Sequence, residues 1–232
     1  MVRRAKGELT VPVRRVPQQE RSRETEALIL RTTEALLQQG HNFRDIKVTD
    51  IAFACGVTTG AIYARVRNKE AIVDSLIHEV YIKGLRERVL PTLSSKTCEG
   101  KTIRQIIRGY LGAEAQLYRE HKALGRLFSY LAESERTMSP KGMSQCRRDL
   151  AAYNAEMSGM IRARILERAH KVGHPDPTYA IDLAEHVTDY ALQQKIFMEM
   201  TVSPHSKVSE ASDERLVDEL TEMFISYLWV TE

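Results

Sequence analysis

The sequence predicts an all-α protein, and three observations support that fold class. Glycine and proline are sparse, with 12 and 7 residues among 232, whereas leucine, alanine, glutamate, arginine and isoleucine are abundant. This balance favours helices over a turn-rich β fold. Apolar residues recur at helical spacing along most of the chain. No run alternates valine and threonine for long enough to indicate a sheet.

The apolar spacing and the residues that start or stop helices divide the chain into three parts. Residues 1–20 have no apolar periodicity and are predicted to form a flexible basic arm. Residues 21–68 are predicted to form a small helical domain, and residues 69–232 a larger helical bundle. The predicted helices cover residues 22–39, 49–55, 58–65, 69–90, 102–120, 122–136, 142–171, 178–201 and 213–229, with a flexible loop over 203–212.

The charge of the chain is unevenly distributed. The net charge is only +3, but residues 1–23 hold seven basic and two acidic side chains, whereas residues 203–232 hold two basic and seven acidic ones. A basic front and an acidic end are typical of a protein that meets an anionic polymer with its N-terminal part. We expect the arm to neutralise phosphates without setting a sequence preference.

The segment from Thr49 to Tyr63 has the physical features of a helix-turn-helix that reads DNA. Thr49 and Thr58 are predicted to cap two short helices, and Gly56 permits the left-handed backbone of a tight turn between them. Small residues at the exposed start of the second helix allow a close approach to phosphates. One core is predicted to join the apolar residues Ile51, Val57 and Ile62. The spacing alone also fits an ordinary helical hairpin.

A set of motifs in this segment resembles the DNA-binding domain of the TetR family of transcriptional regulators. The matching motifs are Ile51-Ala52, Gly56-Val57-Thr58, Gly60, Ile62-Tyr63 and Asn68-Lys69-Glu70. Their order and spacing are specific, and the resemblance covers roughly residues 23–77. It implies an N-terminal three-helix helix-turn-helix DNA-binding domain, followed by a larger helical-bundle domain for regulation and dimerisation.

The resemblance also implies roles for individual residues. Positions that commonly contact phosphates in the family correspond to Thr49, Thr58, Tyr63 and Lys69. The face that enters the major groove corresponds to Thr59, Gly60, Ala61 and Ala64. The chain departs from the family pattern at Ala64 and Val66, where relatives often have aromatic residues. Arg65 adds positive charge, either for a further phosphate contact or as a solvated side chain.

Two C-terminal helices are predicted to form a homodimer interface, as the resemblance implies for residues 178–201 and 213–229. In the first of them, small residues that would let two helices approach form the row Ala180, Ala184, Val187 and Ala191. In the last helix, an apolar stripe too wide for one packing partner is formed by Leu216, Val217, Leu220, Met223, Phe224, Tyr227 and Leu228. A wholly internal stripe is the alternative.

The larger domain is also expected to bind a small-molecule effector, an apolar or aromatic compound. Polar or aromatic residues on apolar helical faces are candidates for its site: Tyr110, Gln116, Tyr118, Arg126, Tyr130, Tyr153, Met157, His186 and Tyr190. Among these we expect the ligand to lie near Tyr130, Tyr153 and Tyr190.

The resemblance implies a sequence-specific DNA-binding transcriptional regulator, a repressor released from a near-palindromic operator by its ligand. The alternative is an architectural or cell-division protein on the same scaffold that responds to a protein partner. The sequence has no nucleophile elbow, phosphate-binding glycine loop or metal triad, so we expect no enzymatic activity, metal or cofactor. Three isolated cysteines and the lack of a membrane-spanning stretch or secretory signal favour a reduced, cytoplasmic location.

Overall fold

The structure, a computed structural model, describes residues 18–127, 145–198 and 207–231. Within these ranges the chain is helical, and the only β pairing is an isolated antiparallel bridge between Val172 and Val230. The predicted all-α fold is therefore confirmed. In the same described part of the chain, no helix is long and apolar enough to cross a membrane.

Three helices and the start of a fourth form the N-terminal part. They are α1 (Gln18–Gln38), α2 (Val48–Cys55), α3 (Thr59–Tyr63) and the first turns of α4, which begins at Lys69. Their shared core contains the buried side chains Ile29, Leu30, Leu37, Phe43, Ile46, Ile51, Ile62, Val66 and Ile72. Residues 18–20, predicted to belong to the arm, are instead the first residues of α1, and residues 1–17 lie outside the described chain.

The helix α4 leads from the small domain into the bundle. It is α-helical over Lys69–Leu76, takes the wider π-helical form over Ile77–Ile82 and Leu85–Val89, and ends in a 3₁₀ turn over Leu90–Leu93. It contacts α1 near its start and other helices of the bundle along its length. The prediction of a continuous helix over 69–90 is confirmed, but the π-helical stretches have no counterpart in the sequence pattern.

The remaining helices form the larger bundle. Their bounds are α5 (Ser95–Cys98), α6 (Ile103–Glu120), a helical segment over residues 122–127, α7 (Gln145–Leu166), α8 (Pro177–Phe197), α9 (Lys207–Glu210) and α10 (Asp213–Tyr227), with a 3₁₀ turn over Ala169–Lys171. The predicted loop over 203–212 is wrong at 207–210, which are helical. Residues 199–206 lie outside the described chain.

The helix α6 is central to the bundle because it contacts α7, α8, α10 and the end of α4. Its Thr102 cap accepts a hydrogen bond from the Gln105 amide at 3.2 Å, and the Gln105 side chain accepts one from the Thr102 amide at 3.0 Å. This reciprocal pair fixes the start of the helix. One face of α6 is buried along its whole length, and that face includes two tyrosines and a glutamate, Tyr110, Tyr118 and Glu114.

Candidate nucleic-acid interface

The turn between α2 and α3 is built as the sequence predicts. Gly56 ends α2 with a φ of 67°, in the left-handed region that favours glycine. Two residues later, Thr58 caps α3, because its hydroxyl oxygen accepts a hydrogen bond from the Ala61 amide at 3.1 Å. These two residues set the angle at which α3 leaves α2, and thereby fix the direction of its exposed side.

The side of α2 and α3 that faces the core of the domain is tightly packed. Ile51 and Ile62 have no exposed surface, and Ala52 is 4% exposed. Val57 is half-buried and packs against the same core. Val66, which stands where the family often has an aromatic residue, is buried at 6% exposure, so the smaller side chain still contributes to the core below Tyr63.

The start of α2 differs from the prediction. The helix begins at Val48, and its preceding residue is Lys47, whose amide donates a hydrogen bond to the Asp50 carboxylate at 2.8 Å. Thr49 is therefore already inside the first turn and does not cap the helix. Its side chain is exposed, so a phosphate contact by Thr49 stays a prediction.

The outward side of α3 is small and mostly uncharged. Thr58, Gly60, Tyr63 and Ala64 are exposed, and Thr59 and Ala61 are half-buried. The Tyr63 side chain is 54% exposed, which places it outside the core and leaves its hydroxyl at the surface. Six of the residues predicted to contact DNA thus lie together on one five-residue helix and its two caps.

The two basic residues of the predicted site are held by backbone oxygens. Arg65 donates a hydrogen bond to the Ala61 carbonyl at 2.6 Å, near the end of α3. Lys69 donates one to the Arg44 carbonyl at 3.0 Å, and its ammonium lies 4.5 Å from the centre of the Phe43 ring. These contacts fix the two positive charges close to either end of the loop that joins α3 to α4.

One residue of this surface was missed by sequence reasoning. Phe53, on α2, is 89% exposed, whereas its neighbours Ile51 and Ala52 are buried. The helical period offers the signal: the buried side of α2 runs through positions 48, 51, 52 and 55, and position 53 falls outside it. Phe53 therefore adds a large apolar side chain to the exposed surface of α2.

Solved structures share this arrangement at low sequence identity. The TetR-family transcriptional regulator PfmR from Thermus thermophilus matches with a TM-score of 0.62 and 19% identity, over 88% of this chain and 98% of its own. The ketosteroid transcriptional regulator KstR2 of Mycobacterium tuberculosis matches with a TM-score of 0.62 and 15% identity, over 89% of this chain and 95% of its own. AibR, solved with isovaleryl coenzyme A and operator DNA, matches with a TM-score of 0.59 and 14% identity, over 89% of this chain and 100% of its own.

The chain has the TetR-family fold. No family model matches the sequence, and no curated protein resembles it closely enough to count as a relative. The likeness to the TetR-family structures therefore rests on the course of the backbone, with the helix-turn-helix at the N-terminal end and the bundle behind it.

The last two long helices of this TetR fold each have an outward apolar side. The stripe predicted for α10 divides in two: Leu216, Val217, Leu220, Phe224 and Leu228 are buried, whereas Met223 and Tyr227 are exposed. The large apolar side chains that remain exposed on α8, on α10 and just after α10 are Tyr179, Val187, Tyr190, Met223, Tyr227 and Trp229.

The row of small residues predicted for α8 is largely wrong as an outer surface. Ala180 and Ala184 are buried at 0% and 4% exposure, and Ala191 is half-buried against the core. Only Val187 is exposed, at 41%. The 4-3-4 spacing follows the edge of the buried face of α8, so most of the row packs inside its own bundle.

Two residues of the predicted ligand site differ in burial. Tyr153 is buried at 1% exposure, but Tyr190 is 59% exposed. On α8, Thr188 and Leu192 are buried, and Tyr190, two residues from each, points to the opposite side of the helix. Tyr130 lies outside the described residues. Tyr190 therefore belongs to the outer surface of the bundle.

A buried acidic group in the bundle was missed by sequence reasoning. Glu114 has no exposed surface, Glu185 is 9% exposed and Asp189 is partly buried. The pKa of Glu114 is raised well above its ordinary value, first by loss of hydration and next by the charge of Asp189. Burial likewise raises the pKa of Glu185 and of Asp189.

Proposed function

We propose that the protein is a sequence-specific DNA-binding transcriptional regulator that reads duplex DNA with α3. The observation that carries the proposal is the exposed side of α3, where Thr58, Gly60 and Tyr63 stand clear of a firmly packed core. Small side chains let a helix approach base edges closely, and hydroxyl groups can donate to phosphates. Arg65 and Lys69 would add contacts to the sugar-phosphate backbone, as would the exposed threonine near the start of α2.

We propose further that the protein acts as a homodimer. Six large apolar side chains remain exposed at α8, α10 and the residues that follow, and a second copy of the same surface would bury them around a two-fold axis. The two α3 helices would then face successive major grooves about 34–36 Å apart. A symmetric dimer of this kind recognises a near-palindromic sequence.

A small effector is proposed to release the protein from its operator, which makes it a repressor. AibR, which shares the fold, was solved with both an acyl-coenzyme A and operator DNA. In this chain α4 leads directly from the domain of α3 into the bundle, so a movement of the bundle changes the spacing of the two α3 helices. Coupling of this kind is typically about 1–3 kcal/mol. No enzymatic activity is proposed.

The direct test is selection of bound fragments from random duplex DNA. We expect one enriched near-palindrome, bound by one dimer or a pair of dimers. Failure to enrich any sequence, or a stable monomer at micromolar concentration with and without the duplex, would contradict the proposal.

The effector is tested by linkage. Operator DNA must lower the affinity for the effector by the same factor by which the effector lowers affinity for the operator. Equal effector affinity with and without the selected duplex would instead support the alternative of a regulator that responds to a protein partner.

A further inference from the structure

A cleft lies between the loop after α1 and the segment over residues 122–127 of the bundle. Its volume is about 390 Å³, which is within the usual range for small-molecule sites. One wall comes from the N-terminal part of the chain and the other from the bundle, and among the described residues none of α3 lines it. The cleft is therefore separate both from the interior of the bundle and from the exposed side of α3.

The deeper lining of the cleft is apolar. Leu37 and Phe43 are 7% and 8% exposed, and Leu127 is half-buried against the core. An apolar group laid on these side chains would lose contact with water, which favours its binding.

The rim of the cleft is basic. Arg44 and His41 line it on the N-terminal wall and Arg126 on the wall of the bundle, and all three residues are exposed. No acidic side chain lines the cleft in the described part of the chain. Positive groups above an apolar floor are complementary to an anion with an apolar body.

The surroundings of Arg126 are also rich in positive charge. The pKa of the Lys122 ammonium is lowered, first by loss of hydration and next by the charges of Arg126 and Arg119, whereas Asp213 acts in the opposite direction. Asp213 is itself paired with Arg119. An added carboxylate would therefore reduce the repulsion among the basic groups on this wall.

The other acids near the cleft already have partners or lie outside it. Glu34 is 2.6 Å from the His121 ring nitrogen, and Glu120 accepts a hydrogen bond from Arg88 at 3.0 Å. Asp45 follows Arg44 in the chain but does not line the cleft. A ligand would thus meet the basic rim without an acidic side chain of the lining competing for it.

Hydrogen bonds hold both basic walls in place. The Nε of Arg126 donates to the Phe197 carbonyl at the end of α8. The Arg44 amide donates to the Asn42 side chain at 3.0 Å, and the Arg44 carbonyl accepts from Lys69 at 3.0 Å. Groups that are already positioned lose less entropy when a ligand binds.

We propose that this cleft binds a small organic carboxylate with an apolar body. The carboxylate would accept hydrogen bonds from the guanidinium groups of Arg44 and Arg126, whose planar shape matches its own. The apolar body would lie on Leu37, Phe43 and Leu127. The inference goes beyond the proposed function, because it adds a binding site at the junction of the two parts of the chain.

An occupant of the cleft would contact both parts of the chain. Beside the cleft, α1 meets the end of α6 through the Glu34–His121 pair and through a hydrogen bond from the Gln38 side chain to the Glu120 carbonyl at 3.4 Å. A bound carboxylate would add a contact across the same junction and so favour this arrangement of the two parts.

The test uses the full-length protein without DNA and three carboxylates, hexanoate, octanoate and 3-phenylpropanoate, each beside the alcohol of the same skeleton. We expect at least one carboxylate to raise the unfolding temperature in a concentration-dependent way, and none of the alcohols to do so. Acetate at the same ionic strength has the charge with almost no apolar body and should also have no effect.

Substitutions on both walls locate the site. In calorimetry, Arg44→Gln and Arg126→Gln should each lower the affinity by about threefold or more, and both together by about tenfold or more. Arg126→Lys keeps the positive charge and should bind more tightly than Arg126→Gln, which separates the loss of charge from a change of packing at Phe197. The matched controls are two exposed arginines outside the cleft, one in each part of the chain. They are Arg67→Gln and Arg215→Gln, and each should change the affinity less than about twofold.

Unchanged affinity in the double variant would place the ligand elsewhere, such as inside the bundle, and would overturn the proposal. Equal stabilisation by the alcohols or by acetate would do the same, as would no binding by any of the three carboxylates. The DNA selection is run on the same protein without carboxylate. An enriched duplex without carboxylate binding therefore rejects the cleft site alone, and carboxylate binding without an enriched duplex rejects the DNA-reading function alone.

Discussion

Glu114 lies in the core at a cost that depends on pH. Its folded-state pKa is raised above the unfolded value, so its contribution to stability is fully present below the unfolded pKa and is lost as pH rises toward the folded one. Glu114→Gln removes this loss. We predict that the variant is more stable than the wild type at pH 7, by up to about 1.4 kcal/mol for each pH unit between the two pKa values. Urea unfolding between pH 4 and pH 8 measures the difference.

Comparing the stability of Glu114→Gln with that of the wild type isolates the titration of Glu114 from that of the other groups that face it. Asp189, Glu185, Tyr110 and Tyr118 are present in both proteins, as are His186 and Arg86 at the edge, so their titration largely cancels. Glu120→Gln should instead make the protein less stable than the wild type at pH 7. The hydrogen bond from Arg88 lowers the pKa of Glu120, so the ionised Glu120 carboxylate stabilises the fold above the unfolded pKa. A wild type as stable as Glu114→Gln at every pH would contradict the burial of an ionisable carboxyl group.

At the scale of helices, the segment over residues 122–127 packs closely on the end of α8. A Cβ built on Gly125 would lie far inside van der Waals contact with the Phe197 ring. Because the ring is rigid and 2% exposed, it cannot easily yield. We predict that Gly125→Ala destabilises the protein by about 1–3 kcal/mol in urea unfolding.

Gly159→Ala is the matched control for that substitution. Gly159 lies inside α7, and its Cβ would meet nothing within 4 Å. Alanine there should stabilise the protein by about 0.5–1 kcal/mol, since glycine loses more backbone freedom in a helix. Equal effects of the two substitutions would show that the packing of Gly125 against Phe197 does not occur in solution.

Most helices can be predicted from the sequence because apolar spacing and caps are local signals. Gly56 and Thr58 set the turn of the helix-turn-helix within a few residues, and the structure confirms both roles. The π-helical stretches of α4 cannot be predicted in this way, because the positions that they bury also fit an ordinary α-helix. The prediction of Thr49 as a cap is wrong because Asp50 accepts a hydrogen bond from the Lys47 amide, which starts the helix earlier.

At the scale of the whole molecule, the exposed side of α3 is easier to predict than the core of the bundle. The residues of α3 are consecutive, so local spacing decides which of them are exposed. Glu114 and Asp189 meet only through the packing of α6 on α8, which no local pattern reveals. Tyr190, predicted to lie near the ligand, is on the exposed side of α8, and a helix with two apolar sides does not show in its sequence which side faces inward.

The proposed dimer interface is tested by introducing charged side chains into it. Val187 and Met223 are 41% and 42% exposed, so the double substitution Val187→Glu and Met223→Glu should leave the fold of one chain intact. We predict that it converts a dimer to a monomer at micromolar concentration in sedimentation velocity, because burying two unpaired charges in an interface is costly. Phe53→Ser, at an exposed apolar site on α2, should leave the dimer unchanged; a double variant that stays dimeric would place the interface elsewhere.

The most direct measurement of the central claim, that α3 enters a groove of DNA, is the affinity of Gly60→Ala for the selected duplex. The new Cβ would lie no closer than 3.8 Å to its nearest neighbour, the Thr58 hydroxyl oxygen, so the substitution fits the fold. It should leave unfolding stability unchanged or raise it by up to about 1 kcal/mol. The added methyl group would nevertheless hold the helix away from the duplex, and we predict a loss of affinity of about tenfold or more. Gly109→Ala, at an exposed helical glycine on α6, should bind the duplex as the wild type does. Equal affinity of Gly60→Ala and the wild type would contradict the claim.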